Sequence, residues 1–248
     1  MSIQAQISSN GCYHLVLNRA LKSNALDRGM IQALNHHLDL VSNNKDIKML
    51  FISGHGKNFC TGVDLNWMQQ CGQLPEKENL KYAECIASVL KKLYALKIPK
   101  IAKIQGRVMG GAVGLVSCCN VVLAHPNTQF CLPEIRLAII PAIILPYLME
   151  VIGKKKAMAY SLLAKPWSAQ SALNDGLVDY IVQHENFENE CEKIVQQILS
   201  YDGYALDQLF LAINSTPPQN SFCEFNPAKC LAELRSRSIA QTSFSEKL

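Results

Sequence analysis

The chain has 248 residues, 49% hydrophobic and 18% charged, with a net charge of +4. That suits one large globular domain, or one domain with a small appendage. The mild positive charge fits an anionic small-molecule ligand and is no argument for nucleic acid.

The opening MSIQAQISSN is polar and lacks the apolar core of a secretory leader, so a cytoplasmic protein is expected. No apolar run reaches the ~20 residues of a membrane span. The longest, residues 137–148, is interrupted by Pro141 and Pro146. Ten cysteines sit in apolar contexts such as Ser117-Cys118-Cys119, which predicts reduced, buried thiols rather than a disulfide framework. With no CxxC pair and no HExxH, neither a zinc nor an iron–sulfur site is expected.

In chain order, residues 13–18 alternate as a strand does. Asp27 can cap a helix with Met30, Leu34, Leu38 and Val41 at helical spacing. Residues 47–53 (IKMLFIS) predict a buried strand, closed by Gly54 and Gly56. NFCTGVDLNWM is a turn running into a short helical piece, and residues 75–96 form an amphipathic helix. A strand over 100–105, a glycine turn, a helix over 111–119 and a strand over 121–124 follow. Helices are expected over 154–163 and 169–175, a late strand over 177–182, then helix to the end with a break at Pro217-Pro218. The run Lys154–Lys156 reads as a solvated helix face, with a phosphate contact the lesser reading. Alternating strands and helices predict an α/β core over residues 1–185, and residues 186–248 read as a helical extension.

The chemistry starts at VMGGAVGLVSCCN, residues 108–120. A glycine pair between strand and helix lets backbone approach a ligand and aims free N–H groups at a phosphate or a developing oxyanion. On this stretch alone, a tight packing turn explains the glycines as well. Met109 stands where a dinucleotide fingerprint ending at Gly114 needs glycine. The stretch at residues 54–58 lacks the Ser/Thr and upstream spacing of a P-loop, and no GxSxG elbow exists. A second turn, Cys60-Thr61-Gly62-Val63-Asp64, also follows a strand. If it faced the first, the N–H groups of Val63 and Gly111 would form a two-donor oxyanion hole; Asp64 as a plain helix cap is the simpler reading of its own position.

The order FCTGVDLNWM, long amphipathic helix, KIPKIAKIQGRVMGGAVGLVSCCNVVLA and TQFCLPEIRLAIIPA resembles the crotonase superfamily (enoyl-CoA hydratase/isomerase) over residues 10–185. The resemblance implies an α/β spiral of ββα units with a helical C-terminal region, assembled as homotrimers or hexamers. It implies an acyl-CoA thioester as substrate, with no separate cofactor. Carried over by motif, Val63 and Gly111 supply the oxyanion hole, beside Gly110. Coenzyme A binding would use the main chain around Leu26, Cys60 and Gly62, with Lys22 near the phosphates; Arg19-Ala20, where the family often has Arg-Pro, weakens that expectation. Hydratases of the family commonly carry two glutamates. One position is Gly114, which lacks a carboxylate and is expected to leave room for a branched or longer acyl group. The other is Glu134, the expected proton carrier. Asn120 stands where aspartate is common and is expected to hydrogen-bond within its turn.

The segments GVDLNWM, GGAVGLVSCC and EIRLAIIPAIILPY look like bacterial methylglutaconyl-CoA hydratases, enzymes of leucine and isoprenoid acid degradation. Their substrate has a free carboxylate, for which Arg136 is the expected partner ahead of Arg107, a structural ion pair being the alternative. The expected reaction is therefore hydration of a 2-enoyl-CoA. The alternative is double-bond isomerisation through Glu134 alone, and a non-catalytic RNA-binding protein ranks last.

Overall fold

The computed structural model describes residues 2–183 and 187–215. The expected break at Pro217-Pro218 and the helix beyond it lie outside the described residues. The architecture is mixed α/β. The strands are β1 (Ile3–Ile7), β2 (Cys12–Leu17), β3 (Met49–Gly54), β4 (Lys100–Ile104), β5 (Arg107–Met109), β6 (Val121–Ala124), β7 (Gln129–Cys131), β8 (Trp167–Ser168) and β9 (Tyr180–Ile181). The helices are α1 (Arg28–Asn43), α2 (Leu65–Gly72), α3 (Glu76–Ala95), α4 (Gly111–Ser117), α5 (Leu145–Leu163), α6 (Ala169–Asn174), α7 (Phe187–Leu199) and α8 (Gly203–Ser215).

One sheet runs β1-β2-β3-β4-β6-β9, and a small second sheet runs β5-β7-β8. In the first, β1 is antiparallel to β2 and every other pair is parallel, as in Leu15 opposite Ile52 and Ile52 opposite Ala102. Parallel neighbours need crossovers, which α1 provides between β2 and β3, and α2 with α3 between β3 and β4.

Both faces of this sheet are covered, which is why MLFIS reads as a continuous apolar run. Leu15, Leu50, Ile52, Ala102 and Val122 face the main core with Met30, Ile31 and Leu34 of α1 and Val89, Leu90 and Leu93 of α3. Cys12, Met49, Phe51, Ile101 and Leu123 face the other way, against Phe187, Cys191 and Val195 of α7. The carboxylates of Asp27 and Asp64 cap α1 and α2, accepting from Met30 N at 2.8 Å and from Asn66 N at 3.0 Å.

Three expectations shift. β1 is an additional strand, hidden in the sequence because only Ile3 of it is buried. The helix expected from residue 154 begins at Leu145, and Gly153 (φ 78°) kinks it where the sequence places the start. Pro146 is no obstacle there, since a first-turn position has no intrahelical N–H bond to lose. The late strand shrinks to Tyr180–Ile181. Asn120 accepts from Lys100 N at 3.0 Å, and Lys156 pairs with Asp175. Cys12, Cys60, Cys71, Cys118, Cys131 and Cys191 are buried free thiols.

Candidate active site

β5 delivers the first glycine turn. Gly110 adopts φ 50°, ψ −121°, open in practice only to glycine, and donates its N–H to Cys131 O at 2.9 Å. α4 starts at once on Gly111. The second turn is stitched to the same strand, with Cys60 N donating to Arg107 O at 3.2 Å and Met109 N to Cys60 O at 3.1 Å. Gly62 follows at φ +84°, packed so tightly that a Cβ there would lie 2.7 Å from Met109 O and 3.3 Å from Gly111 N.

The two glycine turns therefore face each other. A Cβ on Gly111 would sit 4.0 Å from Val63 N and 3.7 Å from Val63 Cγ2. Neither the Val63 nor the Gly111 N–H meets a backbone acceptor among the described residues. For Gly111 this is the orphan donor at the head of a helix.

Glu134 completes the arrangement. Pro133 ends β7's extension and a one-turn helix, Glu134–Leu137, tucks the carboxylate back toward the glycines. Its Oε1 lies 2.8 Å from where a Cβ on Gly110 would be, so glycine at 110 is also what admits the acid. Glu134 is 8% exposed, and its Oε2 is buried without a hydrogen-bond partner. Burial pushes its carboxyl above the ordinary carboxylate range, opposed in part by a bond from its own backbone N–H.

These groups open onto an apolar cavity of about 390 Å³ between α2, α3, α4 and the segment 139–144. Leu26, Ile31, Trp67, Tyr82, Ile86, Leu90 and Leu115 line it, and Trp67 meets Tyr82 edge-on at 6.0 Å. Glu134 is the one carboxylate in the lining, and no Lys, Arg or His contributes among the described residues. Two N–H donors side by side, a buried carboxylate and an apolar slot can stabilise an oxyanion while moving a proton on an adjacent carbon.

The family model for enoyl-CoA hydratase/isomerase matches residues 8–222. The chain belongs to that family. It is 29% identical to the crotonyl-CoA hydratase of Syntrophomonas wolfei over 75% of this chain and 71% of that one. It is 28% identical to a peroxisomal Delta(3,5)-Delta(2,4)-dienoyl-CoA isomerase of Arabidopsis thaliana, over 70% of this chain and 66% of that one. The crystal structure of an enoyl-CoA hydratase from Shewanella pealeana superposes with a TM-score of 0.87 at 28% identity, covering 100% of this chain and 94% of that one.

Within this family member, Val63, Gly110, Gly111 and Glu134 come together, with the Leu26 side chain on the cavity wall. The main-chain groups of Leu26 and Cys60 are already engaged: Leu26 N donates to Gly62 O at 2.8 Å, and Leu26 O accepts from Asp64 N at 3.0 Å. Leu26, Cys60 and Gly62 thus act as scaffold for the turn. Lys22 is exposed on a one-turn helix after β2, away from the cavity lining.

Two expectations need correction. Gly114 opens no room, since a Cβ there would lie 2.7 Å from Leu90 Cδ1 and 3.3 Å from Ile144 Cγ1. Those side chains fill the space and present their other sides to the cavity. Arg136 is not among the lining residues; its guanidinium donates to Ala164 O. Arg107 is exposed on β5 and lines no part of the cavity either. The segments GVDLNWM and EIRLAIIPAIILPY carry Trp67 and residues 139–144, yet neither these nor Tyr82 can be told from core residues by sequence, because apolar residues that line a ligand slot carry the same pattern as those that fill a core.

Proposed function

We propose that this chain forms and quenches the enolate of an acyl-CoA thioester. The thioester oxygen would sit between the N–H groups of Val63 and Gly111, where each donor contributes about 3–4 kcal/mol as the oxygen gains charge. Coenzyme A would be part of the substrate, not a resident cofactor, and exposed Lys22 would be its phosphate contact.

Among the family's reactions we favour a shift of a double bond from C3 to C2. Glu134 takes a proton from C2, the charge spreads into a dienolate held by the two N–H groups, and the same carboxyl returns the proton at C4. No water is consumed. The observation that carries this choice is a single carboxylate facing an apolar slot, with the space at Gly114 filled by Leu90 and Ile144. This reverses the order that the resemblance to methylglutaconyl-CoA hydratases implies.

Hydration of a 2-enoyl-CoA is the second reading, favoured by the hydratase named among the relatives. For a methylglutaconyl-type acyl group it is weakened by a cavity lined without any cation, since a buried carboxylate needs a charged or hydrogen-bonding partner. Exposed apolar side chains at Ile135, Leu137, Ile140, Leu162 and Leu163 support homo-oligomeric assembly.

The test is a mass-resolved assay of the protein and its Glu134→Gln variant on a 3-enoyl-CoA, crotonyl-CoA and 3-methylglutaconyl-CoA. The isomerase reading expects a 3-enoyl-CoA to shift its double bond with no added mass, and the variant to lose that activity. Added water on either 2-enoyl substrate, without bond migration on the first, would replace it with the hydratase.

A further inference from the structure

Arg19 links the two helix caps that bracket one of the donors. Its Nη1 reaches Asp64 Oδ2 at 2.8 Å, and its Nε lies 3.2 Å from Asp27 Oδ2. Nη1 also donates to Ala25 O at 2.9 Å. Each aspartate divides its oxygens. Oδ1 of Asp27 caps α1 through Met30 N, and Oδ1 of Asp64 caps α2 through Asn66 N and Trp67 N. The Oδ2 atoms are left for the guanidinium, a planar fork that can serve two acceptors at once.

Between the two caps lies the backbone pairing of Leu26 with Val63. Leu26 N holds Gly62 O at 2.8 Å, and Asp64 N holds Leu26 O. The peptide joining Gly62 to Val63 is trans, as are all peptides described. In a planar trans peptide the C=O and the following N–H point in opposite directions. Holding Gly62 O toward Leu26 therefore aims Val63 N–H the other way, to the side where Gly111 lies.

We propose that Arg19 is a positioning residue for the reaction: by tying Asp27 to Asp64 it clamps the Leu26–Val63 pairing and so fixes the direction of the Val63 N–H. This rests on the reading of that N–H as half of an oxyanion hole. Arg19 lines no part of the cavity and touches no reacting atom. Its loss should therefore weaken polarisation of the thioester while leaving binding largely intact. A small misdirection is costly because the donor acts only in the geometry it was built for.

The experiment compares wild type, Arg19→Gln and Asp64→Asn, the last keeping a capping side chain while removing the charge paired with Arg19. Two readouts are needed. One is the absorbance of a bound conjugated 2,4-dienoyl-CoA, which moves to longer wavelength when its carbonyl is polarised by two donors. The other is kcat on a 3-enoyl-CoA set against the Kd for the dienoyl ligand, on protein shown by circular dichroism to be folded at the assay temperature. The proposal expects the red shift to shrink in both variants, kcat to fall tenfold or more, and Kd to change less than threefold. An unchanged red shift and kcat in folded Arg19→Gln overturns it while leaving the oxyanion hole standing. No red shift in wild type overturns the hole and this proposal together.

Discussion

Burial of Glu134 raises its pKa because the ionised form loses hydration that no donor to Oε2 replaces. The folded pKa then lies above the unfolded value of about 4.3. Stability linked to this group is fully present below that unfolded value and is lost as pH rises through the folded one. At neutral pH the ionised carboxylate thus costs stability. Glu134→Gln is expected to raise stability at pH 7 by about 1–2 kcal/mol, the scale of an unpartnered buried polar atom. The gain should vanish near pH 4, where the native carboxyl is itself protonated. The same variant should lose about 10²–10⁴ in kcat. Thermal melts at the two pH values and a turnover assay check all of this, and a variant that is less stable than wild type at pH 7 would refute the burial argument. As the ionised base, wild-type Glu134 should also place the acid limb of the pH–rate profile above the ordinary carboxylate range.

At the level of elements, helix α4 shows how one missing side chain is answered by its neighbours. A glycine in a helix interior costs about 1 kcal/mol relative to alanine, yet Gly114 sits under Leu90 of α3 and Ile144 ahead of α5, with no space for a Cβ at the present positions. Gly114→Glu alone is expected to overpack the site by about 1–3 kcal/mol and to add no water to a 2-enoyl-CoA. Paired with Leu90→Ala, which vacates the blocking carbon, the same glutamate should reach the cavity, and hydrated product should appear by mass. Equal hydration by the single and double variants would mean Leu90 does not guard that space. This coupling was invisible in the sequence. The glycine turns and the caps at Asp27 and Asp64 were legible because each depends on neighbours a few residues away, whereas Glu134 stood out only through the resemblance of TQFCLPEIRLAIIPA to the family. That Gly114 and Leu90 meet depends on how α3 lies over α4, which no local pattern encodes. The same reason hid the fate of Arg136, whose spacing from Glu134 says nothing of the Ala164 carbonyl that holds it. It also hid Asn24, fully buried at φ +53°, which donates to the carbonyls of His55, Asn58 and Phe59 and so pins the two loops around the site.

Over the whole molecule, the unusual number of cysteines becomes a property of the fold, because several are packed on opposite faces of one sheet. Cys12 and Cys191 lie in the layer under α7, while Cys60 and Cys118 belong to the main core. Burial, the largest cause in each case, pushes Cys12, Cys60 and Cys191 from 9.0 up to about 12 and moves Cys118 in the same direction. Stability tied to a raised pKa is complete below the unfolded value and is lost as pH climbs through the folded one. The window therefore opens near pH 9 and extends to about 12. Within it each thiol removes about 1.4 kcal/mol per pH unit, and four together remove roughly 5–6. Buried Lys100, whose pKa is lowered by desolvation, works in the opposite direction, but it is one group against four. A domain holding about 5–15 kcal/mol in total would spend that margin within one to three pH units. The chain should hold its melting temperature to about pH 8.5 and then lose it steeply, with uptake of hydroxide on unfolding at pH 10 equivalent to several protons per chain. Cys12→Ala and Cys191→Ala should each flatten that slope by about one proton's worth, since each removes one titrating thiol from the unfolded state. A melting temperature that stays level to pH 10.5 would show that the thiols ionise as readily in the folded chain as in the open one, and that the two-sided burial of the sheet is looser than the packing around β3 implies.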